Sequence, residues 1–161
     1  MKKELITICD LTHTATNTYA TNLMPYPIAS IKSNVLEFSK HKENLEIEIF
    51  KHPQEFISAF LSKSPKLVGF SNYVWNLELS YEIAKEIKSR SPETVIVFGG
   101  PNFPLDMNDQ KKFMNKNSQV DVYVPTEGEV GFSNLVQVAL SVKSESELQN
   151  KLIEKPIDGC I

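Results

Sequence analysis

Cysteine is nearly absent from this sequence, with only Cys9 and Cys160 among 161 residues. Two thiols cannot supply a four-cysteine zinc or iron–sulfur site within one chain. The first residues do not read as a signal peptide, so a reducing cytoplasm is the expected setting. Long apolar runs are also missing, and none approaches the roughly 20 residues needed to cross a bilayer. Neither sign of charge dominates: 17 Lys and Arg against 20 Asp and Glu leave a formal net charge of -3. No bulk electrostatic attraction to nucleic acid or to an anionic membrane follows from that balance. Repeats and low-complexity segments are absent as well. What remains is 41% hydrophobic and 23% charged, the composition of one globular domain with a substantial core.

Read in order, the chain alternates short apolar runs with amphipathic segments. Glu4 to Cys9 is a first strand. The segment Asp10 to Met24, rich in threonine and asparagine, is a long connection where about 2 to 6 residues is usual. Position and length favour a functional loop. Pro25 and Pro27 bracket the start of a helix with Ile28, Ile31, Val35 and Phe38 on one stripe. Leu45 to Phe50 alternates apolar residues with Glu46 and Glu48, a strand with one exposed edge or face. Pro53 opens a helix whose inner side carries Phe56, Ile57, Phe60 and Leu61. Leu67 to Phe70 is a third strand, followed by a helix from Leu77 that stops before Pro92.

Thr94 to Phe98 is a β-branched strand ending in the turn Gly99-Gly100-Pro101. Val120 to Val124 is a fifth strand, and Thr126-Glu127-Gly128-Glu129 opens a helix that buries Phe132, Leu135, Val136 and Ala139. Ser141 to Gln149 reads as a linker or an exposed helix, and Ile157 to Ile161 as the start of another strand. Five strands alternating with helices predict a three-layer α/β/α sandwich on a five-stranded parallel sheet, order 2-1-3-4-5.

Ligands in such sheets bind beyond the carboxyl ends of the strands, near the point where strand order reverses. Ser71, Asn72, Tyr73 and Trp75 follow the third strand and are the first candidates. Packing alone would account for one aromatic there, whereas two in a polar loop offer a flat apolar face. Gly99-Gly100-Pro101 permits close backbone approach. Glu127-Gly128-Glu129 is either a site or a favourable acidic first turn of a helix. Asp10 is equally suited to capping a turn through its side chain, and an isolated loop histidine such as His13 is usually solvated.

Val68-Gly69-Phe70-Ser71, Val95 through Pro101, Val120-Asp121 and Glu127-Gly128-Glu129 together resemble the cobalamin-binding domain found ahead of radical S-adenosylmethionine (SAM) domains. Pro25-Tyr26-Pro27-Ile28 is similar to the start of that family's first helix. The resemblance runs to about Ala139 and implies a Rossmann-like, flavodoxin-like fold with cobalamin over the carboxyl edge of the sheet. The implied cofactor contacts are Thr12, Thr14, Thr16, Ser71, Asn72, Tyr73, Val74, Trp75, Asn76, Gly99, Gly100, Pro101, Asn102, Glu127, Gly128 and Glu129. Residues 1–142 would form the cobalamin-binding unit, and 143–161 a polar linker leading into a radical SAM domain of the same polypeptide. That missing domain would hold the 4Fe-4S cluster and S-adenosylmethionine of a methyltransferase or related enzyme. The CxxxCxxC cluster motif does not occur here, so this chain alone is not expected to catalyse the reaction.

Relatives of the methionine synthase type place Asp-x-His-x-x-Gly after the first strand, the histidine binding cobalt. Here Asp10-Leu11-Thr12-His13 carries one extra residue and no glycine follows, so His13 is not expected to be a metal ligand. The principal alternative is an FMN-binding electron carrier, since Thr12-His-Thr14-Ala15-Thr16-Asn17 approaches the phosphate loop T-x-T-G-x-T. A receiver-like signalling domain would need an acidic residue where Ser71 stands. A pure interaction domain on the same fold is the third alternative.

Overall fold

Residues 3–15, 18–19 and 24–161 are described in a computed structural model. Five strands form one sheet: β1 (Glu4–Cys9), β4 (Leu45–Phe50), β5 (Leu67–Ser71), β6 (Val95–Gly100) and β7 (Val122–Pro125). Their spatial order is β4-β1-β5-β6-β7 and each neighbouring pair is parallel. Counted along the chain this is the expected order 2-1-3-4-5. Two further strands, β2 (Thr14–Ala15) and β3 (Thr18–Tyr19), form a separate antiparallel ladder in the first loop.

Side-chain alternation along each strand splits the core between two faces. Val95 and Val97 of β6 join a cluster with Ile6, Ile8, Leu67 and Phe132, whereas Ile96 and Phe98 join Phe56, Phe70 and Tyr123. On the first face lie α1 (Tyr26–Phe38), α5 (Gly128–Leu140) and α6 (Glu145–Glu154). Residues of α2 (Pro53–Lys63), α3 (Leu77–Arg90) and α4 (Met107–Lys116) cover the second. Each large apolar side chain fully buried in either layer contributes about 1.5–3 kcal/mol. Edge strand β4 keeps Glu46 exposed, and Lys63 pairs with both Glu46 and Glu48.

Several boundaries depart from expectation. Gly99 and Gly100 belong to β6, where they pair with Val124 and Pro125. Strand β7 begins at Val122, because the Asp121 side chain accepts the Ile96 amide and is tied to Lys88 at 2.6 Å. In α2 only Phe56 and Phe60 are buried, one turn apart; Ile57 and Leu61 face outward, as does Phe38 of α1. Helix α4 was not anticipated. The segment from Ser141 contains α6, which buries Leu148 in the core. Beyond it, Ile161 and Tyr123 exchange backbone hydrogen bonds of 2.8 Å, an antiparallel contact on the free edge of β7. The backbone there runs so close to α5 that a Cβ on Gly131 would lie 2.4 Å from the Gly159 carbonyl oxygen.

Candidate functional site

The carboxyl ends of β1, β5, β6 and β7 open onto a cleft of about 220 Å³ between the sheet and helices α1 and α5. Its inner walls are apolar, with Ile8, Ile28, Ile31, Val97, Val124 and Phe132. Polar groups stand at the strand ends and the helix starts: Ser71, Thr126, Glu127 and Glu129. Gly69 keeps the floor low, since a Cβ there would sit 3.0 Å from the Phe132 ring. Across the cleft, the Ser30 hydroxyl of α1 donates to Glu129 at 2.9 Å, and Ser133 of α5 donates to Asn34 at 2.8 Å. These two links hold α1 and α5 together along one side.

Beside the cleft, Tyr73 and Trp75 stack with ring centroids 4.5 Å apart and planes within 5°. Parallel stacking is a favourable arrangement that covers one face of each ring and leaves the rest of the exposed Trp75 side chain at the loop surface. Trp75 is 57% exposed and Val74, at the tip of the same loop, 81%. Burial, with the charge of Asp10 adding to it, pushes the Tyr73 phenol above its ordinary value.

The neighbouring loops are tied from below. Asn72 is fully buried and donates to the Asn102 carbonyl at 3.1 Å and to the Tyr123 hydroxyl at 3.0 Å. Its backbone N–H donates to the Gly99 carbonyl at 2.7 Å. The Tyr123 hydroxyl in turn donates to the Gly100 carbonyl at 3.1 Å, while its ring stacks on Phe103. Gly100 adopts φ of 120°, and Thr126 has φ of 58°. A non-glycine residue in that left-handed region is uncommon and marks a constrained turn.

Among the expected site residues, the structure gathers Ser71, Tyr73, Gly99, Gly100, Glu127, Gly128 and Glu129 around the cleft, with Trp75 and Val74 on its rim loop. Asn72 and Asn76 are buried, their amides engaged within the protein. Pro101 and Asn102 border a separate shallow depression with Phe103 and Phe113. Thr12 is buried and its hydroxyl lies 3.4 Å from the His13 carbonyl, while His13 itself is exposed. Thr16 lies outside the described residues, and Thr14 forms part of β2. Among the described residues no group of three or more His, Cys, Asp and Glu is placed to hold a metal ion.

The cleft walls themselves were missed as site residues. Ile8, Ile28, Ile31, Val97 and Phe132 carry the same apolar pattern as ordinary core. The signals that point to them are Gly69, whose missing side chain leaves room for the Phe132 ring against the strand, and the helix start at Tyr26-Pro27.

The chain is 38% identical over 77 residues to the cobalamin-dependent radical SAM methyltransferase TokK of Streptomyces tokunonensis, covering 48% of this chain and 11% of that protein. It is 36% identical over 72 residues to 2-(S-pantetheinyl)-carbapenam-3-carboxylate methyltransferase of Streptantibioticus cattleyicolor, covering 45% and 10% respectively. The match thus spans about a tenth of either relative's own length. A family model described as the B12 binding domain matches residues 14–136. With the parallel sheet, the cleft and this match in hand, the chain belongs to the B12-binding domain family.

Proposed function

We propose that this domain holds cobalamin over the carboxyl edge of its sheet, with the corrin against the Tyr73–Trp75 surface and the base of the nucleotide tail in the cleft. The observation that carries this reading is the pairing of an exposed aromatic face with an apolar slot on the same sheet edge. Cobalamin has two parts of matching shape: a broad macrocycle and a small, flat, largely apolar benzimidazole. Only the second suits a cleft of about 220 Å³ walled by isoleucine, valine and phenylalanine. The remaining lone pairs of the Ser71 hydroxyl and of the Gly99 and Gly100 carbonyls would accept hydrogen bonds from the amide arms and the tail. Asn72 and Asn76 act as supports beneath the loops. His13 is read as a bystander, so binding rests on apolar contact and hydrogen bonds.

The relatives' names support a wider reading. The chain would be the cobalamin-binding module of a cytoplasmic radical SAM methyltransferase or a related enzyme. Another domain of that polypeptide would hold the 4Fe-4S cluster and S-adenosylmethionine. Residues 143–161 would form the connection, carried along the α5 and β7 side of the module by Leu148 and Ile161.

Cobinamide, which keeps the corrin but lacks the nucleotide base, tests the placement. Hydroxocobalamin is expected to bind at least tenfold more tightly, a difference of about 1.4 kcal/mol. Ile31→Phe, which fills the cleft from α1, should remove most of that preference and leave cobinamide affinity unchanged. Equal affinities of wild type for the two corrinoids would take the base out of the cleft.

A further inference from the structure

The loop that bears the aromatic pair hangs on one carboxylate. Asp10 follows β1, and its N–H donates to the Phe50 carbonyl at the end of β4 at 2.9 Å. Its backbone is therefore fixed by the sheet. The side-chain Oδ1 accepts two hydrogen bonds from the next loop: from the Ser71 hydroxyl at 2.5 Å and from the Asn76 amide at 3.1 Å. The Asn76 amide nitrogen also lies 2.9 Å from the Ser71 hydroxyl oxygen, which closes a three-residue ring of contacts. Asn76 then passes the constraint on, because its Oδ1 accepts the backbone N–H of Tyr73 at 2.9 Å. The loop between Ser71 and Asn76 is thereby pinned at both ends and at Tyr73, and Trp75 stacks on that residue.

From this chain of contacts we infer that Asp10 is a positioning residue for the Tyr73–Trp75 surface, acting through Ser71 and Asn76. The inference rests on the cobalamin reading only for what the surface receives. A carboxylate suits the task for two reasons. Charge-assisted acceptance shortens and strengthens both bonds. A buried amide such as that of Asn76 is costly to leave without an acceptor. Both donors meet the same oxygen, so an asparagine oxygen in that place can still receive them, without the charge.

Trp75 is the single tryptophan of the chain, so its emission and its quenching by acrylamide report on the surface directly, before any ligand is added. In the 161-residue protein, Asp10→Ala should increase acrylamide quenching at least twofold and weaken hydroxocobalamin binding about tenfold, with a cooperative melt retained. Asp10→Asn should restore most of both, staying within about threefold of wild type in affinity. Asn76→Ala cuts the relay at its other end and should reproduce the Asp10→Ala quenching. A folded Asp10→Ala protein with wild-type quenching and wild-type affinity would overturn the inference. Should Asp10→Ala fail to fold, Asn76→Ala decides. If neither variant folds, Asp10 is a structural residue and the positioning role is withdrawn. A wild type that does not bind hydroxocobalamin would refute the cobalamin reading instead, while the quenching comparison still tests the role of Asp10.

Discussion

Gly100 holds φ of 120°, and a Cβ at that position would lie 3.2 Å from the Asn72 carbonyl oxygen. The requirement for glycine is thus set by the backbone and by the neighbouring loop, before any ligand arrives. Gly100→Val is expected to lower unfolding free energy by about 1–3 kcal/mol in urea titrations, as well as to weaken cobalamin binding. An unperturbed urea midpoint would show that the turn relaxes without cost. Buried tyrosines add a pH dependence. Burial pushes the Tyr81 phenol up to about 12, and moves that of Tyr123 in the same direction. In the unfolded chain tyrosine ionises near pH 10. Both groups therefore contribute stability that is present below pH 10 and is lost as pH rises toward their folded values. Thermal melts should be insensitive to these groups between pH 7 and 9 and should fall steeply from pH 10 to 12. A flat profile across that upper range would contradict the burial of both phenols.

Residue identities point to the candidate cleft more readily than to the hydrogen bonds within it. Ser71, Tyr73, Trp75 and Gly100 are legible because a strand ending in small polar and aromatic residues is unusual for a simple turn. Asn72 reads the same way, yet its amide is spent on Tyr123 and Asn102. Sequence shows that a group can hydrogen-bond, and only the fold shows what it bonds.

At the scale of elements, strands buried on both faces are the most legible parts, as at Leu67–Ser71. Helix α4 is hard to see because none of its residues is buried; Phe113 and Met114 only lean on the core. Its one clear mark is Asp106, whose side chain accepts the N–H groups of Asn108 and Asp109 as an N-cap. Helix α6 carries a fuller signature in Ser144-Glu145-Ser146-Glu147, where Ser144 accepts the Glu147 N–H and Glu147 reaches back to the Lys143 N–H. Lys66 links two elements that no local pattern connects. It is buried before β5, pairs with Glu4 at 2.9 Å, and reaches the Val142 carbonyl at 3.2 Å and that of Ala139 at 3.5 Å beyond and within the end of α5. Lys66→Met should destabilise the fold by about 1–3 kcal/mol, because those carbonyls lose a buried donor. Chemical denaturation would show it, and an unchanged midpoint would mean that water replaces the ammonium group.

For the whole molecule, fold and family agree: a parallel sheet with its reversal point at β1 and β5, and a cleft on the carboxyl edge beside it. That edge is where apolar side chains of separate loops lie exposed, including Val74, Trp75 and Leu105. On the cobalamin reading, this edge takes a corrinoid in preference to a flavin. Absorbance titration of the purified 161-residue protein with hydroxocobalamin, run beside FMN, decides between them. Saturable one-to-one binding with a shifted corrin spectrum, retained in His13→Ala, is expected, with no comparable change for FMN. Saturable FMN binding with an unaltered hydroxocobalamin spectrum would contradict it.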